Sequence, residues 1–366
     1  MAGGPQPPFR QRVDAVRARL PRLKAAGMVV TGPSNVRWLS GYTGSAGALF
    51  ITRDRAVIIS DFRYRTQIAE QCPGFEYFES PRGLIAGAAA VVKAEKARGV
   101  AVEGAHLTQA QFEDLRKRVG RVALSATTQE VERLRQVKNA QELVAIREAA
   151  RITDAAFAYA LRRLKPGVTE RALGFEIEAF MFRQGSDGLA FPPIVASGPR
   201  SALPHARPTE RRIRRGDLVT FDLGARVRGY CADLTRTVCV GKASAWQRQV
   251  YAAVYEAQRR ALKALRGGQP GKAVDAAARA YLERCGYGLD FFGHGTGHGV
   301  GLDVHEMPGL GRFSTGRLPV GSVVTIEPGV YVAGQGGVRI EDLCRVTKTG
   351  CRVLSKAKKP RALPVV

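Results

Sequence analysis

Leu218-Val219-Thr220-Phe221-Asp222-Leu223-Gly224-Ala225, a turn from Arg226 to Gly229, and Tyr230-Cys231-Ala232-Asp233-Leu234-Thr235-Arg236-Thr237 form the stretch on which the fold turns. It reads as a hairpin of two apolar strands, each interrupted by one aspartate. With a two-residue loop centred on Val227-Arg228, the ladder pairs Arg226 with Gly229 and Asp222 with Asp233. A second stretch repeats the device: Val324-Thr325-Ile326-Glu327, a glycine-rich turn from Gly334 to Gly337, then Val338-Arg339-Ile340-Glu341-Asp342. Centring that turn on Gly334 sets Glu327 opposite Glu341. Directly opposed side chains lie about 5 Å apart. Two bare carboxylates at that distance repel by about 3 kcal/mol at an effective dielectric near 20. Two such pairs on apolar strands call for cations between them, and so for a two-metal site.

The histidines cluster around the same stretches. Of five, four lie between positions 205 and 305: His205, His294, His298 and His305; His106 stands apart and reads as ordinary surface. Phe292-Gly293-His294-Gly295-Thr296-Gly297-His298-Gly299-Val300-Gly301 is too glycine-rich for a helix. It reads as backbone that passes close to something and projects imidazoles from it. Four carboxylates and one neutral imidazole cancel the charge of two dications. An oxygen-rich set with one nitrogen suits Mn²⁺, Co²⁺ or Zn²⁺ better than a thiolate-type zinc site, and there is no Cys-x-x-Cys spacing. Taken singly, each acidic residue reads as an ordinary turn or strand end; it is their joint arrangement that carries weight.

Phe221-Asp222-Leu223-Gly224, Ala232-Asp233-Leu234-Thr235-Arg236-Thr237, His294-Gly295-Thr296-Gly297-His298, Asp303-Val304-His305-Glu306, Ile326-Glu327-Pro328-Gly329 and Arg339-Ile340-Glu341-Asp342 resemble, in order and spacing, the pita-bread metallopeptidases, within them the aminopeptidase P and prolidase branch. The resemblance implies an α+β fold with a pseudo-twofold repeat and five metal ligands: Asp222, Asp233, His298, Glu327 and Glu341. It makes Asp233 and Glu341 the bridging ligands of two divalent ions, with Mn²⁺ the first choice and Co²⁺ or Zn²⁺ the others. Asp222 then holds one ion, and His298 with Glu327 the other. Two ions so held lower the pKa of a shared water towards about 7, and Glu327 is within reach of its proton. By the same resemblance His205 hydrogen-bonds the scissile carbonyl, while His294 and His305 flank the residue after the cut. Arg339, two residues from Glu341 on the same strand face, either orients a ligand carboxylate or contacts substrate.

At 366 residues the chain has room for two domains. Residues 9–128 read as an α/β domain. A helical spacing runs from Val13 to Ala26, a buried strand from Gly27 to Thr31, and a hairpin joins Ala48–Thr52 to Ala56–Ser60 across Arg53-Asp54-Arg55. Val100–Glu103 reads as a further strand and Thr108–Val119 as a helix. Asn35 to Ser45 and Asp61-Phe62-Arg63-Tyr64 resemble the N-terminal domain of the creatinase and aminopeptidase P group. Residues 139–355 form the expected catalytic domain. There a helix from Gln141 to Leu164 and another from Thr169 to Gly185 precede the first acidic hairpin's end of the plan, and helices from Ser244 to Leu265 and on to Gly286 repeat it about a hundred residues later.

Composition narrows the remaining classes. No stretch has the eighteen apolar residues of a membrane span; Gly83 to Val92 is too short. The N-terminus, with Pro5, Pro7, Pro8 and Arg10, lacks the apolar core of a secretory signal, and six scattered cysteines suit a reducing compartment, so a cytoplasmic location is expected. The net charge of +25 raises nucleic acid as a partner. The densest basic runs, Arg211 to Arg215 and Lys356 to Arg361, have no interleaved aromatics, and arginine outnumbers lysine 44 to 13 along the whole chain. No specific nucleic-acid function is therefore expected. The expected partners are peptides with proline at the second position and further copies of the chain, in a homodimer or higher homo-oligomer. The leading reading is a metal-dependent Xaa-Pro aminopeptidase. The alternative is an Xaa-Pro dipeptidase (prolidase), and more remote ones are a metal-free creatinase-like hydrolase and a non-catalytic binding module on the same fold.

Overall fold

The computed structural model describes residues 8–366; Pro5 and Pro7, part of the N-terminal reading, lie outside the described residues. The chain divides into two compact units, one ending at Arg135 and the other running Gln136–Val366. Among the described residues, no helix is long and apolar enough to cross a membrane.

The first unit is built on a mixed six-stranded sheet in the order Glu76–Glu79, Ala56–Ser60, Ala48–Thr52, Gly27–Val30, Gly99–Glu103, Ala123–Thr127. The central strands are buried on both faces, which matches their unbroken apolar runs. The hairpin pairs as its sequence indicates, Ile51 opposite Ala56 across Arg53-Asp54-Arg55. The first helix differs from expectation. It spans Phe9–Arg17 and not Val13–Ala26, because Pro21 has no N–H to continue the ladder. His106, read as ordinary surface, is exposed yet anchored: its Nε2 lies 2.8 Å from Glu132, which also accepts from Asn35. Asn35 and the Thr31 and Gly32 amides in turn satisfy the buried Glu103.

The second unit carries the repeat. Ala140–Arg163 and Glu170–Arg183 form one helix pair, Ala245–Ala264 and Gly271–Arg284 the other. Each long helix begins with a reciprocal cap, Asn139 with Glu142 and Ser244 with Gln247, which fixes where it starts. The first pair packs Ile146, Ala149, Phe157, Leu173 and Ile177 against Val219, Phe221 and Leu223 of the first acidic hairpin. The second packs Val254, Ala257, Ala261, Val274 and Leu282 against Val324, Ile326 and Ile340 of the second hairpin. Two separate cores thus back two acidic hairpins. That is the two-domain creatinase/pita-bread fold, in which mixed helices and sheets position one site.

Candidate metal centre

The first hairpin pairs in a register different from the one read in the sequence. Leu218–Leu223 runs antiparallel to Leu234–Cys239 with Asp222 opposite Thr235, not Asp233. The loop is Arg228-Gly229, both with positive φ (51° and 79°), closed by Val227 opposite Tyr230. A two-residue turn of that hand needs positive φ at both positions and favours glycine second. Gly229 therefore belongs in the loop, and every pairing below shifts by two. A shift of two preserves the face, so Asp233 remains a diagonal neighbour of Asp222. The second hairpin pairs as read: Ile326 opposite Asp342 and Gly329 opposite Arg339 bracket Glu327 and Glu341, and Gly334 makes the turn with φ of 77°.

His298 sits on the short strand Gly297–Gly299, threaded between Val323–Ile326 and Glu306–Leu310. A Cβ on Gly297 would overlap the Thr325 carbonyl, and one on Gly299 the Met307 carbonyl, so glycine is what lets the imidazole reach the carboxylates. Gly299→Ala is expected to cost about 1–3 kcal/mol of stability through this backbone clash, seen as a melting point several degrees lower. His298 Nδ1 faces its neighbour's carbonyl, Gly299 O, at 3.1 Å. That turns Nε2 towards Glu327 Oε1 at 3.1 Å and Asp233 Oδ2 at 3.7 Å.

The electrostatics are those of a site that concentrates negative charge. Burial, then Glu341, Asp222 and Glu327, push Asp233 well above the usual carboxylate range. Burial with Glu327 and Asp222 does the same to Glu341. Asp222 is raised by burial despite the charge of Arg339. Burial would also raise Glu327, but His298, His294 and Arg339 hold it at about 2. Burial would lower His298, yet its bond to Glu327 and the nearby carboxylates lift it to about 9. Asp222 Oδ1 and Glu341 Oε1 are buried with no hydrogen-bond partner. Ligand atoms of Asp233, His298 and Glu341 lie within 4.8 Å of one another. Unpartnered buried carboxylate oxygens are costly, and a cation satisfies them. Four carboxylates with one imidazole fit divalent ions of the Mn²⁺, Co²⁺ or Zn²⁺ kind.

Around these residues runs a layer of supporting bonds that the sequence pattern did not reveal. Thr235 Oγ1 donates to Glu341 Oε2 at 2.7 Å and accepts from Arg339 Nε at 3.0 Å. Thr325 Oγ1 accepts from the His298 amide and donates to Glu327. Asp275 holds Thr296 and, through Arg279, the carbonyls of Phe292 and His294, which fixes the glycine segment. Tyr331 was missed entirely. Its hydroxyl accepts from Arg339 Nη1 at 2.9 Å and lies 2.8 Å from His294 Nε2. His294 Nδ1 faces the Gly295 carbonyl at 2.8 Å, so both ring nitrogens are engaged, and burial lowers its pKa. Tyr331→Phe is expected to reduce kcat about 10- to 100-fold, as loss of an orienting partner does, with little change in melting point. The signal for Tyr331 lay in Gly329-Val330-Tyr331-Val332, where alternation puts Tyr331 on the face of Gly329, opposite Arg339's strand.

A cavity of about 470 Å³ opens over the carboxylates, lined by all five candidate ligands and by His205, His294, His305 and Arg339. His205 and His305 are exposed at it, and the His305 ring packs edge-on against His298 with centroids 4.2 Å apart. Burial and the charge of His298 lower the His305 pKa. Part of the basic run is internal scaffolding: Arg211 pairs with Asp217, and Lys359 with the buried Asp342 behind Glu341.

This fold and this set of donors are those of a metal-dependent peptidase. The chain belongs to metallopeptidase family M24, whose model matches residues 144–348, and the creatinase/prolidase N-terminal domain matches residues 12–137. Among solved structures, an Xaa-Pro dipeptidase from Bacillus anthracis is 38% identical with a TM-score of 0.93, covering 98% of this chain and 100% of its own. Prolidase from Pyrococcus furiosus is 32% identical with a TM-score of 0.86, over 93% and 99%. An X-Pro aminopeptidase from Thermotoga maritima MSB8 is 33% identical with a TM-score of 0.88, over 97% and 99%. The protein is a metal-dependent peptidase of this family, and membership implies divalent metal ions.

Proposed function

We propose that the protein is an Xaa-Pro dipeptidase that hydrolyses the bond between a first residue and a C-terminal proline. The observation that carries this reading is the near full-length likeness to the dipeptidase of Bacillus anthracis. It displaces the aminopeptidase preference of the sequence analysis, for which the relatives give only broad family support. Aminopeptidase activity is kept as a second reading because of the likeness to the Thermotoga maritima enzyme.

In this reading Asp222, Asp233, His298, Glu327 and Glu341 would hold two divalent ions, Mn²⁺ first among the candidates. Such ions, when bound, supply a water nucleophile of low pKa and polarise the scissile carbonyl. Glu327, a carboxylate at the cavity 3.1 Å from His298, would take the proton from the attacking water. His205, exposed at the cavity, donates to the scissile carbonyl. His305 packs beside His298 at the cavity, where it would flank the residue after the cut, and Glu327 would pass the proton taken from the water to the departing proline nitrogen. Arg339 fixes Asp222 through Nη2 at 2.7 Å, an orienting role. The reading is tested with Mn²⁺-loaded protein and a panel of Ala-Pro, Ala-Pro-Ala and Ala-Ala. Ala-Pro should be cleaved fastest. Cleavage of Ala-Pro-Ala with Ala-Pro left intact would pass the assignment to the aminopeptidase.

A further inference from the structure

A peptidase that accepts dipeptides and rejects longer chains must recognise the carboxylate that only a dipeptide carries one residue after the cut. Two arginines, Arg339 and Arg207, are among the residues that line the cavity. Arg339 is already committed. It is 4% exposed, and donates through Nε to Thr235, through Nη1 to Tyr331 and the Pro204 carbonyl, and through Nη2 to Asp222. Arg207 is the opposite case. It is exposed, and its side chain makes no ion pair or hydrogen bond among the described residues.

Its backbone, however, is held. The Arg207 carbonyl accepts from Arg200 Nη2 at 2.6 Å, and Arg200 is itself paired with the fully buried Glu170. On one side of Arg207 the Pro204 carbonyl is tied to Arg339. On the other, the Thr209 amide and hydroxyl both donate to Glu170. An anchored main chain therefore carries an uncommitted guanidinium on an exposed residue that lines the cavity. The same cavity has an apolar wall of Phe191, Pro192 and Ile194, which suits a proline ring. A substrate carboxylate is held best by a cation that no other group has claimed, and Arg207 is such a cation among the residues lining this cavity. A planar guanidinium matches a carboxylate in two parallel hydrogen bonds.

We infer that Arg207 is a specificity-determining residue that binds the C-terminal carboxylate of the Xaa-Pro dipeptide, with Phe191, Pro192 and Ile194 receiving the proline ring. This inference rests on the dipeptidase reading above. It is tested with full-length, Mn²⁺-loaded wild type, Arg207→Gln and Arg207→Lys, using Ala-Pro, its C-terminal amide and Ala-Pro-Ala. Wild type should favour Ala-Pro over the amide by about tenfold or more in kcat/KM, the scale of a charge-assisted hydrogen-bonded pair. In Arg207→Gln that ratio should fall towards one, through a raised KM for Ala-Pro with kcat little altered, and Arg207→Lys should retain part of it. Equal melting points for the three proteins exclude a folding defect. An Arg207→Gln variant that keeps the wild-type ratio would overturn the assignment. So would a wild type that treats Ala-Pro and its amide alike, although Xaa-Pro cleavage would then still stand. A wild type that cuts only Ala-Pro-Ala would instead refute the dipeptidase reading itself, and the carboxylate anchor with it.

Discussion

Alanine in place of Asp233 should lower kcat/KM for an Xaa-Pro substrate by at least about 10⁴-fold, the scale seen when a residue central to a catalytic unit is removed. Asp233 is 5% exposed, and its carboxylate lies within 4.8 Å of donor atoms of both His298 and Glu341, which suits a ligand shared by the two ions of the proposed function. The same substitution should not unfold the protein. Burial and three neighbouring carboxylates raise the Asp233 pKa, so in the metal-free state the charged side chain is a source of strain. Metal-free Asp233→Ala should therefore melt at or above metal-free wild type at neutral pH, while losing most of the rise that metal gives the wild type. Kinetics at saturating Mn²⁺ with paired melting curves check both parts. Activity within tenfold of wild type would contradict the role given to Asp233.

Chelation should destabilise the wild type, and increasingly so as pH rises. A ligand that binds only the folded state at 100 times its Kd adds about 2.7 kcal/mol, which for a unit of this size is a melting shift of about 5–10 °C. The sign of the pH dependence follows from the shifts. Asp233 and Glu341 have folded pKa values well above 3.8 and 4.5, so the stability tied to their protonated forms is complete at acid pH and lost as pH rises through the raised values. His298, raised from 6.5 to about 9, behaves likewise: its contribution is full below 6.5 and gone above about 9. Glu327 acts only at the other end, losing its contribution as pH falls from 4.5 through about 2. His294 and His305, both lowered from 6.5, act with the opposite sign and gain their contribution as pH rises to 6.5. Between about pH 7 and pH 9 the metal-free protein should thus weaken, and the gap to the metal-loaded form should widen. A gap that is constant or narrows over that range would mean that the carboxylates are not gathered as described.

The parts of the site legible in the sequence were those fixed by local pattern. Glu327 and Glu341 could be paired because Gly334 marks its own turn, and the long helices could be placed because Asn139, Thr169 and Ser244 each cap the start of one. Asp222 and Asp233 were recognised, but their register was misread by two residues. The turn at Arg228-Gly229 requires a non-glycine residue at positive φ, and sequence gives little warning of that. The helical spacing continues past Pro21 whereas the helix ends at Arg17, so spacing alone overstates its length. Thr235, Tyr331 and Asp275 were invisible for another reason. Each acts by a hydrogen bond across a large sequence separation, such as Thr235 to Glu341 and Asp275 to Thr296, and nothing local to them announces it. Substrate length was likewise out of reach, since in the proposed reading it rests on Arg207, one of 44 arginines, lining the cavity with no side-chain partner among the described residues.

The central claim, that these carboxylates and His298 form a metal site for cleaving Xaa-Pro bonds, is tested most directly by titrating chelated wild-type protein with Mn²⁺ while following Ala-Pro hydrolysis. No hydrolysis is expected without metal, and recovery should saturate at about two equivalents per chain, the number a two-metal site takes. Full hydrolysis by the chelated protein, before any Mn²⁺ is added, would contradict it.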